Sequence, residues 1–186
     1  MRIIFYLIFS ILITFELTAQ VEIKSKDFKK YQRTCNMDFQ IPDGFSEKKV
    51  KKLPNLKYDL NLVSDTSDFF IRYTFYDGEM ATDYVYDSFN KLNLMNLTQM
   101  DSTATIYKYI QNDSLVTTSL NADKAGYTIF DIKSGYGKGY KFCNMIFAHK
   151  HNIANLYITI LFNTTNQDLR DHLLNQAINS ISFKHD

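Results

Sequence analysis

Hydrophobic and polar residues alternate with a period of two over several short segments, a pattern that predicts β-strands. The clearest case is a pair of segments, 57–62 and 69–76, separated by turn-forming residues 65–68 (DTSD). This pair predicts an antiparallel hairpin. Residues 156–162 (LYITILF) are almost continuously apolar, which is typical of a central strand covered on both faces. Alternation also predicts strands over residues 37–41, 103–109, 127–133 and 140–149.

Helical periodicity occurs twice. Apolar residues follow Thr82 and Asp83 at helical spacing and predict a helix that begins there. A second apolar stripe follows Thr165 and predicts a helix near the C-terminus, with a last strand over residues 181–183. Residues 45–47 predict loop or one or two helical turns, and residues 115–120 predict a short strand or linker. This order of elements predicts an α+β fold, an antiparallel β-sheet with helices packed on it.

The first nineteen residues are typical of a cleavable secretory signal peptide. Arg2 supplies the positive charge, and the apolar segment 3–15 is shorter than the roughly 20 residues that span a bilayer. Ala19 is a small residue at a plausible cleavage point. We therefore expect an exported mature protein, periplasmic or extracellular, that begins at Gln20 and has no membrane span. Its predicted organisation is an extended lead-in over residues 20–36 and one domain over residues 37–186.

The charge balance limits the classes of partner. The net charge is +1, so no strong positive field is available to attract nucleic acid. We expect the partner to be an envelope or secreted protein, or a small ligand.

Two cysteines, Cys35 and Cys143, lie in the predicted mature part. In an oxidising compartment they either form a disulfide or remain as two thiols, and the sequence leaves both alternatives open. Cys35 lies in the polar lead-in and is expected to be the more exposed of the two. Cys143 lies in a predicted strand and is expected to be protected.

Two segments resemble the opening and closing elements of the PsbP-like fold, namely residues 39–45 (FQIPDGF) and 173–183 (LLNQAINSISF). Residues 121–127 and 137–143 together resemble an uncharacterised family of exported bacterial proteins. That family typically has a Trp where this chain has Lys124. The resemblance implies a PsbP-like α/β/α sandwich and a role in binding or assembly rather than catalysis.

Candidate binding residues lie in the two motifs that carry this resemblance and in the glycine-rich turn over residues 134–139. Aromatic side chains on such a turn are good contact residues. The three glycines of the turn lack the ending of a phosphate-binding loop and do not open a helix, so they predict a hairpin turn. The candidate binding residues are Asn121, Asp123, Tyr136, Lys138 and Tyr140.

No catalytic, metal or cofactor motif is evident. His149 and His151 lack a third ligand at a suitable sequence spacing, so they are interpreted as solvated loop histidines. No G-x-S-x-G nucleophile motif occurs. The sequence therefore favours an exported, non-enzymatic binding or assembly module that needs no cofactor. The alternative is a small periplasmic hydrolase with an unrecognised active site.

Overall fold

The computed structural model describes residues 23–49, 58–66, 68–88, 105–132 and 139–185. The predicted signal peptide and its cleavage point lie outside these ranges. The helices are α1 (Lys26–Thr34), α2 (described over residues 83–88), α3 (Ser114–Leu120) and α4 (Gln167–Asn179). The strands are β1 (Met37–Phe39), β2 (Phe45–Glu47), β3 (Leu60–Ser64), β4 (Phe69–Asp77), β5 (Ile106–Ile110), β6 (Lys124–Asp131), β7 (Phe142–Lys150), β8 (Ala154–Phe162) and β9 (Ile181–Phe183).

Seven strands form one antiparallel sheet in the order β2-β3-β4-β8-β7-β6-β5. β8 lies at its centre and is buried along its whole length. The prediction of a central strand at residues 156–162 is therefore confirmed. β1 and β9 pair separately as a small two-stranded sheet.

Helices cover both faces of the large sheet. Successive side chains of a strand point to opposite faces, so a strand buried on both faces contributes to two cores. Leu156, Ile158 and Ile160 pack on the face that also receives buried residues of α1, α3 and α4. Tyr157 packs on the opposite face with Tyr86 of α2. The α+β fold, with helices packed on an antiparallel sheet, is confirmed.

The last helix buries most of the predicted apolar stripe. Leu173, Ala177 and Ile178 are buried, whereas Leu169 in the first turn is 38% exposed. The helix begins after Asn166, whose side chain accepts a hydrogen bond from Leu169 N. Among the described residues, no helix is both long and apolar enough to cross a membrane.

The prediction of an extended lead-in is wrong for residues 26–34, which form α1. The Ser25 hydroxyl caps this helix by accepting a hydrogen bond from Phe28 N at 3.3 Å. Phe28 and Cys35 are both fully buried in the core. The two residues are two helical turns apart and therefore lie on the same face of the helix. The lysines between them lie on its other faces. The folded domain therefore starts before residue 37.

Two further segments differ from the predicted secondary structure. Residues 114–120 form α3 rather than a strand or linker, because the Asp113 side chain caps a helix by accepting hydrogen bonds from Leu115 N and Val116 N. Residues 45–47, expected to be loop or helical turn, form β2 and pair with β3. Both segments are short, so their periodicity is a weak signal.

Candidate functional site

Polar side chains meet where β6 begins, β7 ends and β8 begins. The register places Lys124, His149 and Asn155 directly opposite one another on three neighbouring strands. Asp83, at the start of α2, reaches this row from above the sheet. Its Oδ1 lies 2.8 Å from Lys124 Nζ and 3.1 Å from His149 Nε2. We call Asp83, Lys124, His149, His151 and Asn155 the histidine cluster.

The two histidines of the cluster differ in exposure. The prediction of two solvated loop histidines is wrong for His149, whose side chain is 1% exposed. β7 extends to Lys150, so His149 lies within the sheet and under α2, with its ring 5.5 Å from that of Tyr86. His151 is exposed in the turn between β7 and β8, as predicted.

Asp123 organises that turn. Its Oδ2 accepts a hydrogen bond from His151 N at 2.7 Å, and its Oδ1 lies 3.5 Å from Lys150 Nζ. Partial burial acts to raise the pKa of Asp123, but the hydrogen bond from His151 and the charge of Lys150 hold it below its usual value. Asp123 is thus an anionic residue that positions His151.

The other sequence-predicted site residue in this region, Asn121, has a structural role. It ends α3 in the left-handed conformation, with φ of 48°. Its Nδ2 donates a hydrogen bond to the carbonyl oxygen of Phe183 at 2.9 Å. Asn121 therefore ties the end of α3 to β9.

Tyr140 lies near the opposite end of β7, about 30 Å along the strand from His149. Its ring is tilted against Phe70 at a centroid distance of 6.4 Å, and partial burial raises the pKa of its hydroxyl. The structure therefore does not bring Tyr140 together with Asn121 and Asp123. Tyr136 and Lys138 lie outside the described residues.

A groove opens between α4 and the β5–β7 side of the sheet. Its volume is about 570 Å³, compared with about 290 and 350 Å³ for two other surface clefts. Its position is not predictable from the sequence, because the groove depends on how a helix packs over three strands. The groove is lined by Tyr107, Lys108, Tyr127, Ile129, Asn144, Gln167, Arg170, Asp171 and Leu174.

Two buried polar atoms in the groove have no hydrogen-bond partner among the described residues. They are Oδ1 of Asn144 and Nε of Arg170. Asn144 is 3% exposed and interrupts an otherwise apolar part of β7 (FCNMIF), the one signal of this site in the sequence. An unsatisfied buried polar group costs about 1–3 kcal/mol, so a ligand that reaches these atoms after a shift of the lining side chains would be stabilised.

The lining of the groove includes a cation beside an aromatic ring. Lys108 Nζ lies 5.0 Å from the centroid of the Tyr127 ring, and contact with Tyr127 raises the pKa of Lys108. Tyr107, on the neighbouring position of β5, is 59% exposed. A ligand with hydrogen-bond acceptors and apolar groups would match this lining.

Cys35 and Cys143 are both buried, and no disulfide joins them. They belong to the cores on opposite faces of the sheet. The prediction that Cys35 is the more exposed thiol is wrong, because α1 carries it into the core. Burial raises the pKa of the Cys143 thiol far above its usual value.

We expect neither thiol of the native protein to react with a maleimide at neutral pH, because both sulfurs are inaccessible to the reagent. After unfolding in guanidinium, both should react. Mass spectrometry of the unreduced protein counts the adducts in each state. Labelling of Cys35 before Cys143 in the native state would contradict the burial of Cys35 in the core.

The hydrolase alternative stays a prediction. Within the described residues, neither His149 nor His151 forms a hydrogen bond with a hydroxyl or thiol group. A nucleophile activated by histidine needs such a contact.

No family model matches the sequence, and no curated protein is significantly similar to it. Its resemblance to exported bacterial proteins therefore stays a prediction.

Two solved structures are distantly similar to the fold. A Pseudomonas aeruginosa protein of unknown function, PA94, is 12% identical over 79% of this chain and 91% of its own, with a TM-score of 0.46. The Ran-binding protein Mog1p of Saccharomyces cerevisiae is 10% identical over 80% of this chain and 90% of its own, with a TM-score of 0.47. Similarity at this level does not extend to function.

Proposed function

We propose that the protein is an exported, non-enzymatic binding module, and that its ligand is an extended segment of another envelope or secreted protein held in the groove. The observation that carries this proposal is the pair of unpartnered buried polar atoms, Oδ1 of Asn144 and Nε of Arg170, in the described groove wall. Natural proteins leave few such groups unpaired, and those that remain need an explanation. A ligand partner supplies one.

A peptide group has the chemistry that these two atoms require. Oδ1 of Asn144 accepts a hydrogen bond and Nε of Arg170 donates one. The N–H and C=O groups of a polypeptide supply the complementary donor and acceptor. Ile129 and Leu174 in the same lining offer apolar surface to its side chains.

The position of the groove suits an extended ligand. It runs beside β5, the last strand in the order of the described sheet. Ile106 and Tyr107 of β5 are 45% and 59% exposed. Exposed side chains of this kind around a polar contact exclude water from it when a partner binds. Apolar side chains on an edge strand are typical of surfaces that associate with another chain.

The predicted export of the protein supports an envelope or secreted protein as its partner. The signal-like segment over residues 1–19 would deliver the domain to the envelope or the medium, where only proteins of that compartment are available. N-terminal sequencing of the protein recovered from an envelope or medium fraction should find Gln20, or a residue within a few positions of it. An intact Met1 in that fraction would contradict cleavage.

Photo-crosslinking tests the groove directly. We place p-benzoylphenylalanine at position 107 or, as the control, at position 84, where Tyr84 is an exposed aromatic residue of α2 on the opposite face. Irradiation of cells that export the protein should give a discrete crosslinked product from position 107 only. Equal products from both positions, or none from position 107, would contradict the proposal.

An arginine variant tests the chemistry of the site. Arg170→Met keeps most of the volume but removes the charged donor, and a hydrogen bond to a charged group contributes about 1.5–3 kcal/mol. We expect the position-107 crosslink to fall about tenfold or more in this background. Arg33→Met, on the exposed side of α1, is the matched control and should leave the crosslink unchanged.

A further inference from the structure

The histidine cluster brings three potential metal ligands together. One ligand atom from each of Asp83, His149 and His151 lies within 4.8 Å of the others. Nε2 of His149 and Oδ1 of Asp83 are 3.1 Å apart. Two ligands of a tetrahedral Zn²⁺ ion lie about 3.3 Å apart, given bonds of about 2.0–2.1 Å to each. These two atoms therefore already have the separation of a chelating pair.

The hydrogen bonds of Asn155 define which nitrogen of His149 carries the proton. Nδ2 of Asn155 donates to the carbonyl oxygen of Met80 at 2.6 Å, so its Oδ1 faces Nδ1 of His149, at 2.7 Å, and accepts the proton there. The neutral imidazole then presents the lone pair of Nε2 to the carboxylate of Asp83.

That arrangement leaves two acceptors facing each other. Nε2 of His149 is buried and receives no hydrogen bond within the described residues, and its nearest charged group is the Asp83 carboxylate. An acceptor and a carboxylate at this distance are stabilised only when a cation lies between them, either a proton on the imidazole or a metal ion.

We propose that Asp83, His149 and His151 form a Zn²⁺ site. Two imidazole nitrogens and one carboxylate oxygen suit Zn²⁺, whereas Mg²⁺ and Ca²⁺ are bound mainly by oxygen ligands. Three protein ligands leave a fourth coordination position for water or for a group of another molecule. The site lies on the face of the sheet opposite to the groove, so this inference does not rest on the proposed function.

Two residues outside the ligand set hold the histidines in place. Asn155 is fully buried and orients the His149 ring through Nδ1. Asp123 accepts the backbone N–H of His151 and so fixes the turn that carries this ligand. A hydrogen bond to the second ring nitrogen, such as the one that Asn155 makes to His149, is typical of histidines that bind a metal.

Lys124 competes with the metal for Asp83. Its ammonium group donates to Asp83 Oδ1, and this contact holds the pKa of Asp83 below its usual value. The Lys124 side chain is 40% exposed, so it can move into solvent when a cation of higher charge binds. Removal of Lys124 should therefore strengthen metal binding, an effect opposite to that of removing a ligand.

Titration calorimetry with ZnCl₂ tests the site on the mature protein after EDTA treatment and removal of the chelator. Co²⁺ is the spectroscopic probe, because tetrahedral Co²⁺ absorbs strongly in the visible range. We expect one Zn²⁺ per chain and a tetrahedral Co²⁺ spectrum. His151→Ala and Asp83→Asn should each weaken Zn²⁺ binding at least about tenfold, and Lys124→Met should strengthen it several-fold.

The substituted side chains are exposed or partly exposed, so folding is retained and can be checked by circular dichroism. His172→Ala, at an exposed position on α4, is the control and should bind Zn²⁺ like the wild type. Zn²⁺ should also raise the melting temperature of the wild type but not of His151→Ala. Absence of stoichiometric binding, or an equal loss in His172→Ala and His151→Ala, would overturn the proposal.

Discussion

Replacement of Phe28 by alanine should lower the free energy of unfolding by about 3–5 kcal/mol, the range for deleting a fully buried aromatic side chain. Phe28 is 0% exposed. Its ring centroid lies 4.7 Å from that of Phe39, 5.5 Å from that of Phe75 and 6.0 Å from that of Tyr73. The truncation would therefore leave a cavity between α1, β1 and β4 and remove three edge-to-face aromatic contacts.

Urea unfolding of the mature protein measures this loss. Lys30→Ala, two residues away on the exposed side of the same helix, is the matched control and should change stability by less than about 0.5 kcal/mol. Similar small effects of both variants would mean that α1 is an appended segment and not part of the core. The expected difference would show that the N-terminal residues before β1 stabilise the whole domain.

Gly126→Ala should destabilise the protein by about 3 kcal/mol or more, because the new methyl group would overlap backbone atoms that can move only if β5 is displaced. A Cβ at this position in β6 would collide with the carbonyl oxygen of Ile110 and lie 2.5 Å from that of Gln111. Glycine permits this close approach of the chain at the end of β5. The substitution would force β5 away from β6 and widen the groove whose rim β5 forms.

Gly78→Ala separates this steric effect from backbone strain. Gly78 has φ of +60°, and a Cβ added there would meet no described atom within 4 Å, so alanine should cost only about 1–2 kcal/mol. Thermal melts of both variants give the comparison. In the Gly126→Ala background, crosslinking from position 107 should also fall, whereas Gly78→Ala should retain it. Equal destabilisation by the two substitutions would contradict the close approach of β5 and β6.

The two candidate sites share β6 but use its opposite faces. Lys124 points toward α2 and the histidine cluster, whereas Tyr127 lines the groove beside α4. Variants of one site should therefore leave the other unchanged. This independence allows failure of the zinc site to be distinguished from failure of the peptide groove.

Local patterns along the chain were sufficient for the main architecture. The alternation of apolar and polar residues in β4 predicted one strand of a hairpin. The apolar run in β8 predicted the central strand of the sheet. The stripe ending at Ile178 predicted α4. These patterns are informative because burial of one or both faces of an element fixes the spacing of its apolar residues. That spacing can be seen within a few neighbouring positions of the sequence.

The candidate sites were decided by tertiary structure. Asp83 meets His149 only because α2 packs over the end of β7, and Asn144 becomes an unpaired buried group among the described residues only because α4 closes over the strands. Likewise, α1 is recognised as part of the core only because Phe28 packs against Phe39 of β1 and Phe75 of β4. Each depends on strand register and helix packing between residues distant in the chain, and the periodicity of a single segment carries no information about the partner it will meet.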